Sequence, residues 1–205
     1  MIMHKALLFL NGEPPTALPT NLSDYAIIAC TDGAYAYLQH HHINIDYIIG
    51  DLDSINSLPN TAVTQIIHTP DQNFTDFEKA LRFLIQKQVT DIDIYGVSGR
   101  ASDHFLGNLS VGLAYSKQLN LCFYDNHSYF FYAKPCTQLK HVKGKIISIM
   151  PFPTAYGVTL TGFLYPLANA TLCLGGLTSI RNQANRNTVD VKFEQGELII
   201  FVNHA

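Results

Sequence analysis

Cationic residues are scarce in this sequence. Its 205 residues include 13 Lys and Arg against 16 Asp and Glu, a formal net charge of −3, and the pI is near 6.3. The only basic grouping is a thin one at Lys140, Lys143 and Lys145, so no stripe exists to track a phosphate backbone and a nucleic-acid binder is not expected. Cysteine is also sparse. Cys30, Cys122, Cys136 and Cys173 lie far apart, beside apolar residues and with no C-x-x-C pair, which suits reduced, structural thiols in a cytosolic protein. Long apolar runs are missing too: none approaches the ~18 residues of a membrane span. Lys5 followed by ALLFL imitates a signal peptide, but the run stops at Asn11-Gly12, short of the ~7–15 residues such a segment needs. A cytoplasmic protein is expected. Finally, there is no G-x-x-x-x-G-K-S/T and no G-x-G-x-x-G, so standard Walker or Rossmann phosphate binding is not indicated.

What is present is ample material for a packed core, 47% hydrophobic against 14% charged, in a length suited to one or two domains. Up to about residue 126 the chain alternates strand-like and helix-like segments. ALLFLNG (6–12), YAIIACTDG (25–33), IDYIIGD (45–51), VTQIIHT (63–69), DIDIYGV (91–97) and LCFYDN (121–126) are short, apolar and mostly β-branched or aromatic. Such runs suit strands buried on both faces. Helical patterns separate them: AYAYLQHHH (34–42), TDFEKALRFLIQKQ (75–88) and DHFLGNLSVGLAYSKQ (103–118). In the second, Phe77, Ala80, Leu81, Leu84 and Ile85 form the apolar stripe, with Glu78, Lys79, Arg82 and Lys87 predicted outside. The alternation implies an α/β unit with a mostly parallel sheet covered by helices.

The pattern then changes. SYFFYA, KGKIISIMPF, GVTLTGF, ATLCLGG and TVDVKFEQGELIIFVN are strands divided by Gly, Pro and Asn turns, with EQGE (194–197) predicted as a hairpin turn. This half reads as a small antiparallel sandwich or barrel. The boundary is expected near 126–135, giving domains 1–126 and 127–205.

Open parallel sheets bind ligands beyond the carboxyl ends of their strands, and four polar clusters occupy such ends. They are Asp32-Gly33, Gly50-Asp51-Leu52-Asp53-Ser54, Asp71-Gln72-Asn73-Phe74-Thr75-Asp76, and Gly96 through His104. One rim would then carry Asp32, Asp51, Asp53, Asp71, Asp76 and Asp103 with few cations to neutralise them. In an extended segment residues i and i+2 point the same way, so Asp51 and Asp53 aim at one spot. Hard oxygen ligands beside an anionic substrate suit Mg²⁺. Thr75-x-x-Glu78 also matches a capping box, and Asp76 in the first turn favours the helix dipole. Glycines before Asp103-His104 would let phosphates approach backbone N–H groups. His40-His41-His42 reads as a solvated helix end, since consecutive histidines face different directions.

Together these residues resemble the thiamine pyrophosphokinase family, whose pattern runs D-G-A, G-D-F/L-D-S, T-D-x-x-K-A-L and a glycine-rich turn into D-H-x-x-x-N. This chain has DGA at 32–34, GDLDS at 50–54, DQNFTDFEKAL at 71–81 and GVSGRASDHFLGN at 96–108. The resemblance implies a Rossmann-like kinase domain followed by a thiamine-binding β-sandwich domain, a homodimer with sites shared between subunits, and transfer of pyrophosphate from ATP to thiamine with Mg²⁺. It places Mg²⁺ on Asp51, Asp53 and Asp76 with Asp32 close by, these four forming the catalytic group. It assigns ATP to Asp32, Gln72, Thr75, Arg100 and Asp103, with His104 beside them, and thiamine to Tyr165, Ser179 and Asn182 in TGFLYPL (161–167) and TSIRNQ (178–183). The sequence departs from the family at Ala101, where arginine is usual and Arg100 stands one place earlier, and at Leu164, Arg181 and Gln183. The rival readings are a pyrophosphokinase acting on a hydroxymethyl pterin and a non-catalytic nucleotide or thiamine sensor.

Overall fold

In the computed structural model, which describes residues 4–41, 43–53 and 63–204, the apolar runs before residue 126 lie side by side as parallel strands. These are β1 (Lys5–Phe9), β2 (Ile27–Thr31), β3 (Tyr47–Gly50), β4 (Gln65–His68), β5 (Asp91–Tyr95) and β6 (Asn120–Tyr124). Their order is β4-β3-β2-β1-β5-β6, and every neighbouring pair is parallel. The chain therefore winds outward from β1 to β4 and returns to β5 on the other side of β1. That reversal sets a topological switch point between β1 and β5, where the crevice of an open parallel sheet opens. Because all the strands run one way, the loops after β2, β3, β4 and β5 gather at one rim.

Three helices cover this sheet: α1 (Asp32–Leu38), α2 (Asp76–Gln86) and α3 (Ser102–Tyr115). Side chains alternate across a strand, and the contacts follow that parity. Leu7, Phe9, Cys30 and Ile48 pack with Ala34 and Leu38 of α1, whereas Tyr47, next to Ile48, meets Phe83 of α2 edge-on with ring centroids 4.8 Å apart. Helices thus lie on both faces, and the strands need no polar side. Helix α1 begins two residues earlier than its apolar pattern suggests, so Asp32 opens the helix rather than sitting in a loop before it. Leu38 is followed by a 3-10 turn, Gln39–His41; His42, like Ser54, lies outside the described residues.

A carboxylate interrupts the sheet core. Asp93, on central strand β5, is buried, and its Oδ2 accepts hydrogen bonds from Tyr25 Oη at 2.7 Å and from Lys5 Nζ at 2.7 Å. Lys5 also lies over the Tyr25 ring, 5.1 Å from its centroid. A buried carboxylate is tolerable only with such partners.

The chain divides by contact density into Met1–Asn126 and His127–Ala205. Within the second unit the strands are β7 (Ser128–Tyr132), β8 (Cys136–Lys140), β9 (Ile146–Thr161), β10 (Leu167–Cys173), β11 (Ser179–Gln183), β12 (Thr188–Lys192) and β13 (Gln195–Asn203). All their pairings are antiparallel. Three sequence expectations change here. KGKIISIMPF and GVTLTGF are not two strands but parts of the single strand β9. They read as two because the buried set moves from odd positions (Ile147, Ile149, Pro151, Ala155) to even ones (Val158, Leu160). A register shift opposite Ala170–Leu172 inserts the extra β9 residue that causes this.

Secondly, EQGE does not close a hairpin. β12 and β13 both pair with β9, at Thr159–Thr161 and at Ile147–Tyr156 respectively, and not with each other. Thirdly, β8 and β11, reading CTQLK and SIRNQ, carry too little apolar alternation to be seen in sequence. The core of this unit is aliphatic, drawn from Ile147, Ile149, Val158, Leu160, Val189, Val191 and Ile200 among others. Among the described residues no helix is long and apolar enough to cross a membrane, and all four cysteines are free thiols.

The Asp93 cluster yields a stability test. Burial, and then the bond to Asp93, raise the Tyr25 phenol above its ordinary value of 10.0, so the folded chain holds that proton more tightly than the unfolded chain. Its share of stability is whole below pH 10 and is lost as the pH rises beyond it. Tyr25→Phe should cost about 1.5–3 kcal/mol at neutral pH, the range for a hydrogen bond to a charged group. Urea titrations at several pH values should also show a shallower alkaline decline for the variant, by one proton's worth.

Candidate active site

At the switch point the chains leaving β1 and β5 run against each other. Leu10 N–H donates to Tyr95 O at 2.8 Å and Glu13 N–H to Ser98 O at 2.7 Å. Gly96 has φ +71°, and a Cβ there would strike the Leu10 carbonyl, so the left-handed turn and the close approach both require glycine. Beyond it, Arg100 Nη1 donates to Asn11 Oδ1 at 2.6 Å. Arg100 therefore reaches back over the β1 loop. Asn11 was not singled out by the sequence reasoning; its signal was an Asn-Gly pair directly after the first strand.

The acids gather one strand over. Asp32 is 3% exposed; its Oδ1 accepts from Gly33 N–H at 2.7 Å and its Oδ2 from Leu52 N–H at 3.0 Å. Leu52 is left-handed, φ +71°, a conformation costing an L-residue about 1–2 kcal/mol. The segment Asp51–Asp53 is thus a turn and not an extended strand end, which corrects the reason given for its two carboxylates converging. They converge all the same. Asp32, Asp51 and Asp53 each offer one carboxylate oxygen within 4.8 Å of the others, a set of hard donors that fits a divalent cation.

Asp51 Oδ1 accepts from Asp53 N–H at 3.3 Å, and its Oδ2 accepts from Gln72 Nε2 at 2.8 Å. The Gln72 bond, with the Asp53 bond and the charge of Lys79, holds the Asp51 carboxyl below the usual range. Burial pushes Asp32 the other way, aided by the charges of Asp76 and Asp51 and opposed by its two backbone bonds. Neighbouring carboxylates displaced in opposite directions, one by hydrogen bonds and the other chiefly by burial, mark the rim as a candidate functional site.

Asp76 stands at the start of α2 and is paired: Lys79 Nζ lies 3.1 Å from its Oδ1. Lys79 is buried, its side chain 6% exposed, not on the outer face as its helical position predicted. The side chain is drawn inward because a carboxylate lies one turn back. The capping box is half realised. Thr75 Oγ1 accepts from Glu78 N–H at 3.2 Å, but the Glu78 carboxylate turns away to Arg82 at 3.0 Å and Tyr115 at 3.1 Å. Arg82 in turn stacks on Phe74, 3.6 Å from its ring centroid, packing the loop that carries Gln72. At α3, Asp103 Oδ1 accepts from His104 N–H at 2.9 Å, and both side chains are exposed.

In the second unit Tyr165 is 65% exposed, among Leu164 and Ile180, which are also open to solvent. Asn182, by contrast, is 2% exposed. Its Oδ1 accepts from Tyr165 N–H (3.1 Å) and Gln183 N–H (2.9 Å), and its Nδ2 donates to Tyr165 O (2.8 Å) and Ser179 Oγ (3.1 Å). Asn182 therefore ties Tyr165 and Ser179 together from beneath.

Comparison with known proteins covers both units. Residues 18–123 match the family model described as thiamin pyrophosphokinase, catalytic domain, and residues 136–198 match thiamin pyrophosphokinase, vitamin B1 binding domain. The chain is 31% identical over 160 residues to a thiamine pyrophosphokinase of Bacillus subtilis, covering 74% of this chain and 75% of that one. It is 27% identical over 212 residues to thiamin pyrophosphokinase 1 of Caenorhabditis elegans, covering 90% and 84%. A crystal structure of thiamine pyrophosphokinase from Bacillus subtilis superposes with a TM-score of 0.82 at 26% identity, covering 97% of this chain and 98% of that one.

The acid cluster depends on a close approach that sequence cannot display. A Cβ on Gly50 would lie 2.5 Å from Asp32 Cγ, so Gly50→Ala must displace the carboxylate that pins Leu52. We expect the substitution to destabilise the chain by about 1–3 kcal/mol. In a double-mutant cycle with Asp32→Ala, which vacates the space, the two costs should fall short of additivity by more than about 0.5 kcal/mol. Additive costs in urea titration would contradict the contact.

Proposed function

The chain belongs to the thiamine pyrophosphokinase family, and on that premise we propose that it transfers the pyrophosphoryl group of ATP to the hydroxyl of thiamine. The hydroxyl oxygen bonds to the β-phosphorus, the bridge from the β- to the α-phosphorus breaks, and AMP leaves as the hydroxyl proton is given up. The observation that carries this reading is the convergence of the Asp32, Asp51 and Asp53 carboxylates at the carboxyl ends of β2 and β3. Such a set makes physical sense opposite a cation bearing a polyphosphate. The acceptor follows from the vitamin B1 binding match over residues 136–198; neither a pterin acceptor nor a non-catalytic sensor is favoured beside it.

A divalent cation, Mg²⁺ in this reading, would be held by Asp51, Asp53 and Asp76, with the buried Asp32 close by. When bound it neutralises charge on the triphosphate. The remaining work is positioning and electrostatics. Asp32 holds the Asp51–Asp53 turn through Leu52 N–H, and Gln72 orients Asp51. Arg100, at the switch point, supplies fixed positive charge for phosphate, while Thr75, Asp103 and His104 line the nucleotide at the starts of α2 and α3. In the second unit Tyr165 offers an aromatic face to the cationic thiazolium, with Ser179 beside it and Asn182 holding both.

The same reading assigns residues 1–126 to nucleotide binding and 127–205 to thiamine binding. It makes the second unit a β-sandwich: β9 pairs with β11 at Ile146–Ile149 and β13 at Ile147–Tyr156, then with β10 at Thr154–Leu160 and β12 at Thr159–Thr161, as a strand shared by two layers would. The protein works in the cytoplasm as a homodimer with sites shared between subunits. Tyr156, Leu164, Tyr165, Leu174, Leu177 and Ile180 support that assembly, being apolar and at least 48% exposed. Sedimentation equilibrium should return twice the chain mass.

Two kinetic outcomes test the assignment. Asp51→Asn and Asp53→Asn should each lower AMP formation from ATP and thiamine by at least about 10²–10³-fold, followed by HPLC; full activity in either removes it from the metal site. Tyr165→Ala should raise the KM for thiamine about thirtyfold, the size of a desolvated cation–π contact of about 2 kcal/mol, and leave the KM for ATP unchanged.

A further inference from the structure

Lys79 is the one Lys or Arg that is buried among the described residues. Lysine stems commonly run along apolar surface to deliver the ammonium to water, and α2 has a solvent side on which Arg82 does this. Lys79 does the reverse. Its stem lies in the packed face with Phe77, Ala80, Leu81 and Leu84, and its ammonium ends 3.1 Å from Asp76 Oδ1. Burying an ammonium is costly unless carboxylates answer it. Here they do, and they are the carboxylates of the proposed metal site: Asp76 directly, and Asp51 through the field of the same charge.

A fixed cation beside a cation site has an unavoidable consequence. It stabilises the acids when nothing is bound, and it repels a divalent ion that arrives alone. Phosphate oxygens arriving with the metal reverse the balance, since the ammonium then faces added negative charge. We propose that Lys79 is a built-in counter-cation that occupies Asp76 in the free protein, weakens binding of a divalent ion by itself, and makes that binding depend on the nucleotide polyphosphate. The proposal rests on the assignment of Asp51, Asp53 and Asp76 to the metal.

The test is a titration of Mn²⁺, followed by the electron paramagnetic resonance of the free ion, with and without the β,γ-imido analogue of ATP. It compares wild type, Lys79→Met, Lys79→Arg and Asp51→Asn. Lys79→Met should bind Mn²⁺ alone about tenfold more tightly than wild type, the effect of removing one like charge at contact range, and should lose most of the enhancement that the analogue gives wild type. Lys79→Arg keeps the charge and should behave as wild type. Unchanged or weaker binding of Mn²⁺ alone by Lys79→Met overturns the proposal, as does equal tightening in Lys79→Arg. Asp51→Asn separates the two levels. If it abolishes Mn²⁺ binding while Lys79→Met changes nothing, the metal site stands and Lys79 is merely structural. If it binds Mn²⁺ as wild type does, the metal assignment itself fails. Circular dichroism checks each fold, and Lys79→Gln replaces the Met variant if that one is unfolded.

Discussion

Concentrated negative charge at one end of a parallel sheet is the constraint around which the first unit is arranged. Carboxylates within 4.8 Å of one another repel, and nothing in the apolar strands behind them relieves that repulsion. The protein holds them by geometry instead. Gly50 lacks the Cβ that would collide with Asp32, and Asp32 grips the N–H of a left-handed Leu52. Gln72 reaches across from the next loop to Asp51. Each contact is modest, yet together they fix the turn in an arrangement its residues would not choose. Strain and like-charge crowding are sustained because the turn stands on β3, which is buried from Ile48 to Gly50.

That burial comes from helices on both faces. Strands without a polar side leave one place where the backbone can open to a ligand: the carboxyl rim, and within it the switch point between β1 and β5. The Arg100–Asn11 bond sits there, one strand from the acids on β2 and β3. Positive and negative groups are thereby sorted along the rim. Lys79 adds a cation from below, threaded through the core of α2 rather than across solvent.

The second unit solves a different problem with one long element. β9 changes its buried parity where an extra residue enters the strand, so its two halves present aliphatic side chains to different neighbours. Exposed Tyr165 is then supported by a buried amide, since Asn182 spends all four of its polar contacts within 3.1 Å on the backbone and on Ser179. An aromatic ring can be left in solvent without the loop collapsing because its peptide groups are satisfied from beneath.

Local pattern carried a good deal of this. Continuous apolar runs and 3.6-residue stripes disclosed the strand–helix alternation, and alternation implies parallel strands with their acids on one rim. The motifs DGA, GDLDS and TDFEKAL pointed to the chemistry because residue type at a strand end is written in sequence. What sequence could not determine were the distances between elements far apart in the chain. Only the folded structure brought a carboxylate oxygen of Asp32 within 4.8 Å of those of Asp51 and Asp53, and gave Arg100 its partner in Asn11. It alone turned Lys79 inward, left Glu78 to Arg82 and Tyr115 instead of its own cap, and joined two apparent strands into β9. The reason is common to all of them. A side chain's pattern reports how its own segment is buried, but a hydrogen bond or ion pair is settled by whichever partner tertiary packing brings within about 3 Å.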